Sequence, residues 1–489
     1  MTPRVKRLGI AACALFVAAT AFLEGQSPAP GGQQSDAAQE PLHVSGVFPH
    51  LSVVSAHDPR SEAGIGALIP WADRLWAVGY VAHIKGSGPG LYEIDARLRM
   101  RKHPASVTGT FANRLVHDAS VQAIIGPHII DADGRVRTFD DLATRRLAAT
   151  MEHLTDPDNK VYFLTMEGLF FEANVHTLET KQLFDLVKVL ELPNDVRPHF
   201  KSAFASAGRV VVANNSYQEA EHLGTRQAGR LAEWDGRQWT IVERKPFVEV
   251  AGKTWAREEF GSPIYAAGWD RASVLLKLSV KGRWHTYRLP RGSNAYDHAW
   301  NTEWMRIREA QTERYLMDVH GLFYELPSLT YEGKLWGIQP IARHLRLVPD
   351  FCSFRGLLVL AGDQTDRSVG QPQSGLWMGH LDELWGWGKP QGWGGPWWED
   401  RVAAGTVSDP YLMTGFDKKV LHLTQAGAAP VTFSVEVDFL GNGTWRPYRT
   451  FTVAGDGYVH HEFPDGFSAH WVRIRVDRAA TVTAQFVYS

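Results

Sequence analysis

The chain has almost no cysteine. Two occur in 489 residues, Cys13 and Cys352. Cys13 falls in a segment expected to leave on export, so no internal disulfide staples the mature fold. Stability must then come from a large core, which a chain of this length can build. An excess of either charge is also missing: 51 Lys and Arg face 53 Asp and Glu. Nothing in that balance suggests sustained nucleic-acid binding, which usually needs a basic face. After the N-terminus no apolar run is long enough to span a bilayer, so no integral membrane segment is expected. There is no His-Glu-x-x-His, paired-Cys, EF-hand or Walker phosphate-loop pattern, so no metal ion or cofactor can be named. The pair His460-His461 lies in a predicted strand, where neighbouring side chains point to opposite faces and cannot easily share one ion.

The first 25 residues read as a signal peptide. Arg4, Lys6 and Arg7 precede a short apolar core from Leu8 to Leu23, the layout of an export signal. The apolar stretch before Cys13 is too short for a lipoprotein signal. Residues 26–41, rich in Pro, Gly, Gln, Ser and Ala, read as a disordered leader. The protein is therefore expected outside the cytoplasm, in the periplasm or the medium, and as a monomer.

What the chain has in quantity is aromatic and β-branched sequence broken by Gly, Pro, Asp and Asn, which predicts an all-β protein. One phrase recurs: Gly90-Leu-Tyr-Glu93, Gly168-Leu-Phe-Phe-Glu172, Gly229-Arg-Leu-Ala-Glu233, Gly321-Leu-Phe-Tyr-Glu325 and an echo at Gly375-Leu-Trp377. Each copy follows another apolar run, such as Arg74-Leu-Trp-Ala-Val-Gly-Tyr80 or Arg209-Val-Val-Val-Ala213. Paired strands repeated at such intervals predict a ring of small sheets. Units can be drawn so as to make a seven-bladed β-propeller over 42–401, with Leu42 to His57 supplying an outer strand that closes the ring. Quick successive strands after Arg401 predict a small C-terminal β-sandwich over 402–489.

In such a ring the loops entering the innermost strands and leaving the second strands share one mouth of the central channel. His117, His199 and His298 each stand where an innermost strand is expected to begin, so they are expected to converge there. With Tyr217 they are the candidate catalytic groups, since imidazole and phenol transfer protons. Lys201, Asn214, Asn215, Trp269, Asp270, Glu303, Arg306 and His320 are the candidate substrate contacts. Aromatic faces stack on sugars and amides bracket hydroxyls, so the expected substrate is a polysaccharide or oligosaccharide. In β-elimination, Tyr217 with His199 or His298 would move protons while Arg306, Lys201 or Asn215 holds a uronate carboxylate. Hydrolysis would instead need two carboxylates, from Glu167, Asp270, Asp297, Glu303 and Glu309. Two readings in this region are structural: Met305-Arg-Ile-Arg-Glu309 as a salt-bridged contact between blades, and the Trp-rich stretch Trp385 to Trp398 as packing between the last blade and the sandwich.

Gly208-Arg-Val-Val-Val-Ala-Asn-Asn-Ser-Tyr217, Gly229-Arg-Leu-Ala-Glu-Trp-Asp-Gly236 and His460-His-Glu-Phe-Pro-Asp-Gly-Phe-Ser-Ala-His-Trp471 resemble secreted bacterial propeller proteins associated with polysaccharide breakdown. The architecture is similar to that of propeller polysaccharide lyases such as ulvan lyases. The resemblance implies an exported carbohydrate-active protein with His and Tyr in the channel mouth, and transfers no role to a particular residue. The leading expectation is a polysaccharide lyase; a glycoside hydrolase and a non-catalytic glycan-binding propeller are the alternatives.

Overall fold

The structure is a computed structural model and describes residues 46–48, 50–51, 63–81, 89–216, 228–253, 262–293, 304–330, 333–362 and 374–489. The expected signal and leader, Tyr217, His298 and Glu303 lie outside the described residues.

The chain is all-β. Successive four-stranded antiparallel sheets follow one another, each a meander in chain order. Their first strands are Ala63–Trp71, Arg114–His117, Leu147–Glu152, Phe200–Ser206, Phe247–Gly252, Arg306–Gln311 and Phe351–Phe354. Each first strand touches the first strand of the next sheet, and Phe351–Phe354 returns to Ala63–Trp71. The sheets therefore stand around an axis lined by their first strands, the arrangement of a β-propeller. Strands crowd near that axis, and the sequence meets the crowding with small residues: Ala67, Ala148, Ala149, Ala203, Ala205 and Ala251 are all buried there. The last sheet takes its outer strand from the other end of the chain, with Gly46–Val47 paired to Gly375–Gly379. That pairing covers an edge which would otherwise be open.

The recurring phrase marks the third strand of its sheets: Leu91–Ile94, Leu169–Asn174, Arg230–Trp234, Leu322–Leu326 and Gly375–Gly379. Its glycines serve two needs. Gly321 sits at φ +80° in the tight turn from the second strand, a conformation that costs other residues energy. At Gly229 a Cβ would come within 2.4 Å of the Pro246 backbone. Its glutamates reach diagonally to the cation that opens the second strand: Arg74 to Glu93 at 3.0 Å, Lys160 to Glu172 at 3.0 Å and Arg209 to Glu233 at 2.8 Å. These are cross-strand diagonal neighbours on one sheet face. In the sheet of Arg306–Gln311 the pattern lapses: Glu325 accepts from Gln339 at 3.1 Å, and Arg314 lies over Trp385.

Beyond the ring, Gly392–Val402, Ala480–Tyr488, Lys419–Ala426 and Tyr458–Glu462 form one sheet, in that order. Tyr411–Leu412, Trp471–Val476, Val431–Asp438 and Arg446–Val453 form another array, and a parallel bridge from Arg288 to Tyr411 joins it to the outer strand Arg283–Leu289 of the fifth sheet. The two arrays share a core that includes Leu421, Phe433, Val435, Ile474 and Phe486. One detail differs from the sequence reading. Gly392–Val402 pairs with these C-terminal strands, so they begin before residue 402. The Trp-rich stretch spans the junction: Trp387 meets Trp377 edge-on at 5.1 Å, while Trp397 enters the C-terminal core.

Asp270 is a further correction. It was expected to contact substrate. Instead both its carboxylate oxygens bond Arg288, at 2.9 and 2.8 Å, and Lys245 adds a contact at 2.7 Å. Arg288 also reaches Asp409 at 3.0 Å. Burial raises the Asp270 carboxyl, but Arg288 and Lys245 outweigh it and hold it far below the usual carboxylate range. Asp270→Ala deprives Lys245 of this partner and leaves Arg288 with Asp409, and we expect a loss of about 3–5 kcal/mol in chemical denaturation.

His128 predicts an acid limit. It is fully buried, and desolvation pushes its imidazole from 6.5 down to about 4. Between those values the unfolded chain binds the proton first, so stability is full above pH 6.5 and falls as pH falls. The loss at pH 4 should be about 3 kcal/mol from this group. Urea midpoints measured from pH 7 to pH 4 on the protein and on His128→Gln test it: the variant should lose less across that range.

Candidate functional site

The channel holds a pocket of about 640 Å³. Its walls come from first strands and the loops that follow them. One end is exposed, at Glu309, Gln311 and Thr312; the other is buried, at Lys201, Glu249 and Arg306. The buried end rests on Trp304, which is 2% exposed. The Lys201 ammonium lies 4.5 Å from the Trp304 ring and the Arg306 guanidinium 5.0 Å from it, and Tyr80 meets it edge-on at 4.7 Å. Cations over an indole face are held by the ring quadrupole. Trp304 and Tyr80 belong to one buried cluster with Ala112, Ala148, Phe200 and Leu347. These side chains come from several sheets and meet across the axis.

An ion network lines the wall beside this floor. Arg308 donates from Nη1 to Glu249 Oε1 and from Nε to Asp350 Oδ1, the latter at 2.8 Å. Arg306 meets Glu249 at 3.3 Å, and Arg114 meets Asp350 at 3.3 Å. Three guanidiniums thus share two carboxylates. Backbone closes the shells: Leu68 N donates to Asp350 at 2.8 Å, and Arg306 Nε donates to Pro349 O at 2.6 Å. Burial weakens the proton affinity of Arg306, whose one carboxylate contact is long; Arg308, between two carboxylates, has its affinity raised despite burial. Asp350 stays below its usual range because Arg114 and Arg308 overcome its burial. At the rim, Tyr315 donates to Glu309 at 3.3 Å, and burial and that carboxylate push its phenol up. Cys352 also lines the pocket; burial pushes its thiol up to about 12, so it stays protonated and inert as a nucleophile.

The expected convergence of histidines is not what the strands produce. His117 ends its first strand, Arg114–His117, whereas His199 precedes Phe200–Ser206. They therefore occupy opposite ends of first strands. The inner strand is Arg114–His117 itself, not the more apolar run after it, which forms Gln122–Ile125 and His128–Ile130. The His117 ring is committed locally, with Nε2 donating to Pro157 O at 2.6 Å and Nδ1 accepting from Ser120 Oγ at 2.6 Å. His199, Asn214 and Asn215 do gather: Asn215 N donates to His199 O at 3.1 Å, and Asn214 Oδ1 accepts from Ser216 N at 2.6 Å. Trp269 and His320 are buried neighbours with ring centroids 6.2 Å apart. Among the described residues, Lys201, Arg306 and the hydrolysis candidate Glu309 are the expected site residues that line the pocket. Arg114, Glu249, Asp350 and Trp304 escaped the sequence reading, although an isolated charge inside an apolar inner strand, as in Phe247-Val-Glu-Val-Ala251, was an available signal.

Comparison with protein-family models and with curated proteins finds no match. Among solved structures the chain is similar to U3-55K at 11% identity and a TM-score of 0.41, over 67% of this chain and 98% of that one. It is similar to the RRP9 WD40 repeats at 12% identity and a TM-score of 0.39, over 68% and 99%. The Cps50 (Swd1) β-propeller domain of Myceliophteria thermophila matches at 10% identity and a TM-score of 0.38, over 69% and 100%. Overlap this loose bears on neither mechanism nor ligand. Among the described residues no helix is long and apolar enough to cross a membrane.

Removing Glu249 leaves two buried guanidiniums short of a partner. Glu249→Ala should cost about 3–5 kcal/mol. A double-mutant cycle with Arg308→Met should show coupling of at least about 1 kcal/mol, because the two residues share one network.

Proposed function

We propose that the chain is a seven-bladed β-propeller followed by a C-terminal β-sandwich, exported from the cell. Its channel pocket receives an acidic saccharide and breaks it by β-elimination beside a uronate carboxylate. The observation that carries this reading is the wall beside the pocket floor, where among the described residues Arg114, Arg306 and Arg308 share Glu249 and Asp350. Cationic charge in excess of its partners, at the bottom of a pocket, favours an anionic group brought there by a ligand. A pocket of about 640 Å³ is in the size class of small-molecule sites.

Elimination asks for three things. A cation must neutralise the carboxylate so that the adjacent carbon gives up its proton. A base must take that proton as the C4–C5 double bond forms. An acid must protonate the glycosidic oxygen as its bond to C4 breaks. Lys201 and the arginines meet the first need. The base and the acid must stand within reach of the carbon that bears this carboxylate, so they belong at the floor rather than at the rim.

A panel of acidic and neutral polysaccharides incubated with the purified protein tests the reading. New ultraviolet absorbance from an unsaturated uronate, on acidic substrates alone, is the expected result. Reducing ends without that absorbance would mean hydrolysis. Acidic glycan bound and left intact would reduce the protein to a binding module, and absence of both binding and cleavage contradicts the whole proposal. Lys201→Met keeps the aliphatic stem and removes the charge; acidic-ligand affinity should fall about tenfold, the scale of one charge-assisted contact.

A further inference from the structure

We infer that the channel is blind and takes its saccharide end-on, so that chain termini and short oligosaccharides, rather than the interior of a polymer, are its ligands. This rests on the acidic-saccharide reading above and deepens it. A propeller channel open at both mouths could thread a polymer, and an open cleft could lie along one. Here the floor forbids threading. Trp304 and Tyr80 are 2% and 0% exposed and pack with Ala112, Ala148, Phe200 and Leu347 across the axis. Lys201 and Arg306 press on the Trp304 ring at 4.5 and 5.0 Å, which fixes the plug in place. The guanidiniums and Lys201 that favour an anion stand toward this closed end, while Lys253, which also lines the pocket, is paired with Glu313 at 2.6 Å. A uronate must therefore travel to the floor to meet them, and only a terminal residue, or one close to a terminus, can do so. A volume of 640 Å³ holds the bulk of about two or three sugar rings.

End-on and lengthwise binding differ in stoichiometry. The full chain is titrated, by calorimetry and by analytical ultracentrifugation, with size-fractionated oligogalacturonates and hyaluronan fragments from dimers to long chains. For end-on binding, the number of protein molecules per saccharide chain stays constant as the chain lengthens. Affinity per chain levels off beyond about three residues, once the pocket is full. Protein bound in proportion to chain length would overturn the blind pocket while leaving acidic-saccharide recognition standing. No binding to any fragment, at any length, would instead remove the reading on which the inference rests. A rim variant, Gln311→Trp, is exposed and should fold. It is expected to weaken binding of a trimer at least tenfold by narrowing the entrance; affinity equal to the parent's would place the ligand elsewhere and overturn the inference.

Discussion

Arg308 grips two carboxylates that come from sheets on either side of its own. Glu249 belongs to the preceding sheet and Asp350 leads into the following one. Arg114, from a sheet further round the ring, completes the contact with Asp350, and Leu68 N from the first sheet donates to the same carboxylate. Inner strands separated by hundreds of residues are thereby held in one mutual height along the axis. The net stabilisation from so buried a network is small, since desolvation offsets most of the attraction. A misplaced sheet, however, would leave a buried charge unpaired, and that costs several kcal/mol. The network thus acts on register more than on total stability.

The remaining ties follow the same logic at larger radius. The diagonal Arg or Lys to Glu pair recurs within sheets, where it joins second strand to third. The Asp270, Arg288, Lys245 and Asp409 cluster ties the fifth sheet to the strands beyond the ring. Near the axis alanines let strands approach; further out aromatic and branched residues fill the widening space. The pocket is what remains when the inner strands are held apart by Trp304 and its flanking cations at one end and are left open at the other.

Much of this was legible in the sequence. The repeated phrase marked third strands because it combines a tight-turn or close-packed glycine, two apolar strand residues and a charge-pairing glutamate, all local requirements. The contact between blades through Arg306 and Arg308 was legible for a similar reason, since strand alternation puts both on one face. What failed was the assignment of His117. The inner strand there is short and only half buried, and the stronger apolar run beside it belongs to the second and third strands. Asp270 failed for a different reason: its partners Arg288 and Lys245 lie 18 and 25 residues away, and only folding brings them close. Glu249, a lone charge in an apolar strand, signalled its burial but not its partner, and Asp350, just before its strand, lacked even that signal.

The most direct test of the account is a crystal structure of the protein soaked with a short acidic oligosaccharide. The account predicts density inside the channel, with a carboxylate within hydrogen-bonding distance of Lys201, Arg306 or Arg308, and Trp304 still closing the floor. Density at the opposite mouth beside His199 and Asn215, or saccharide passing beyond Trp304, would contradict it.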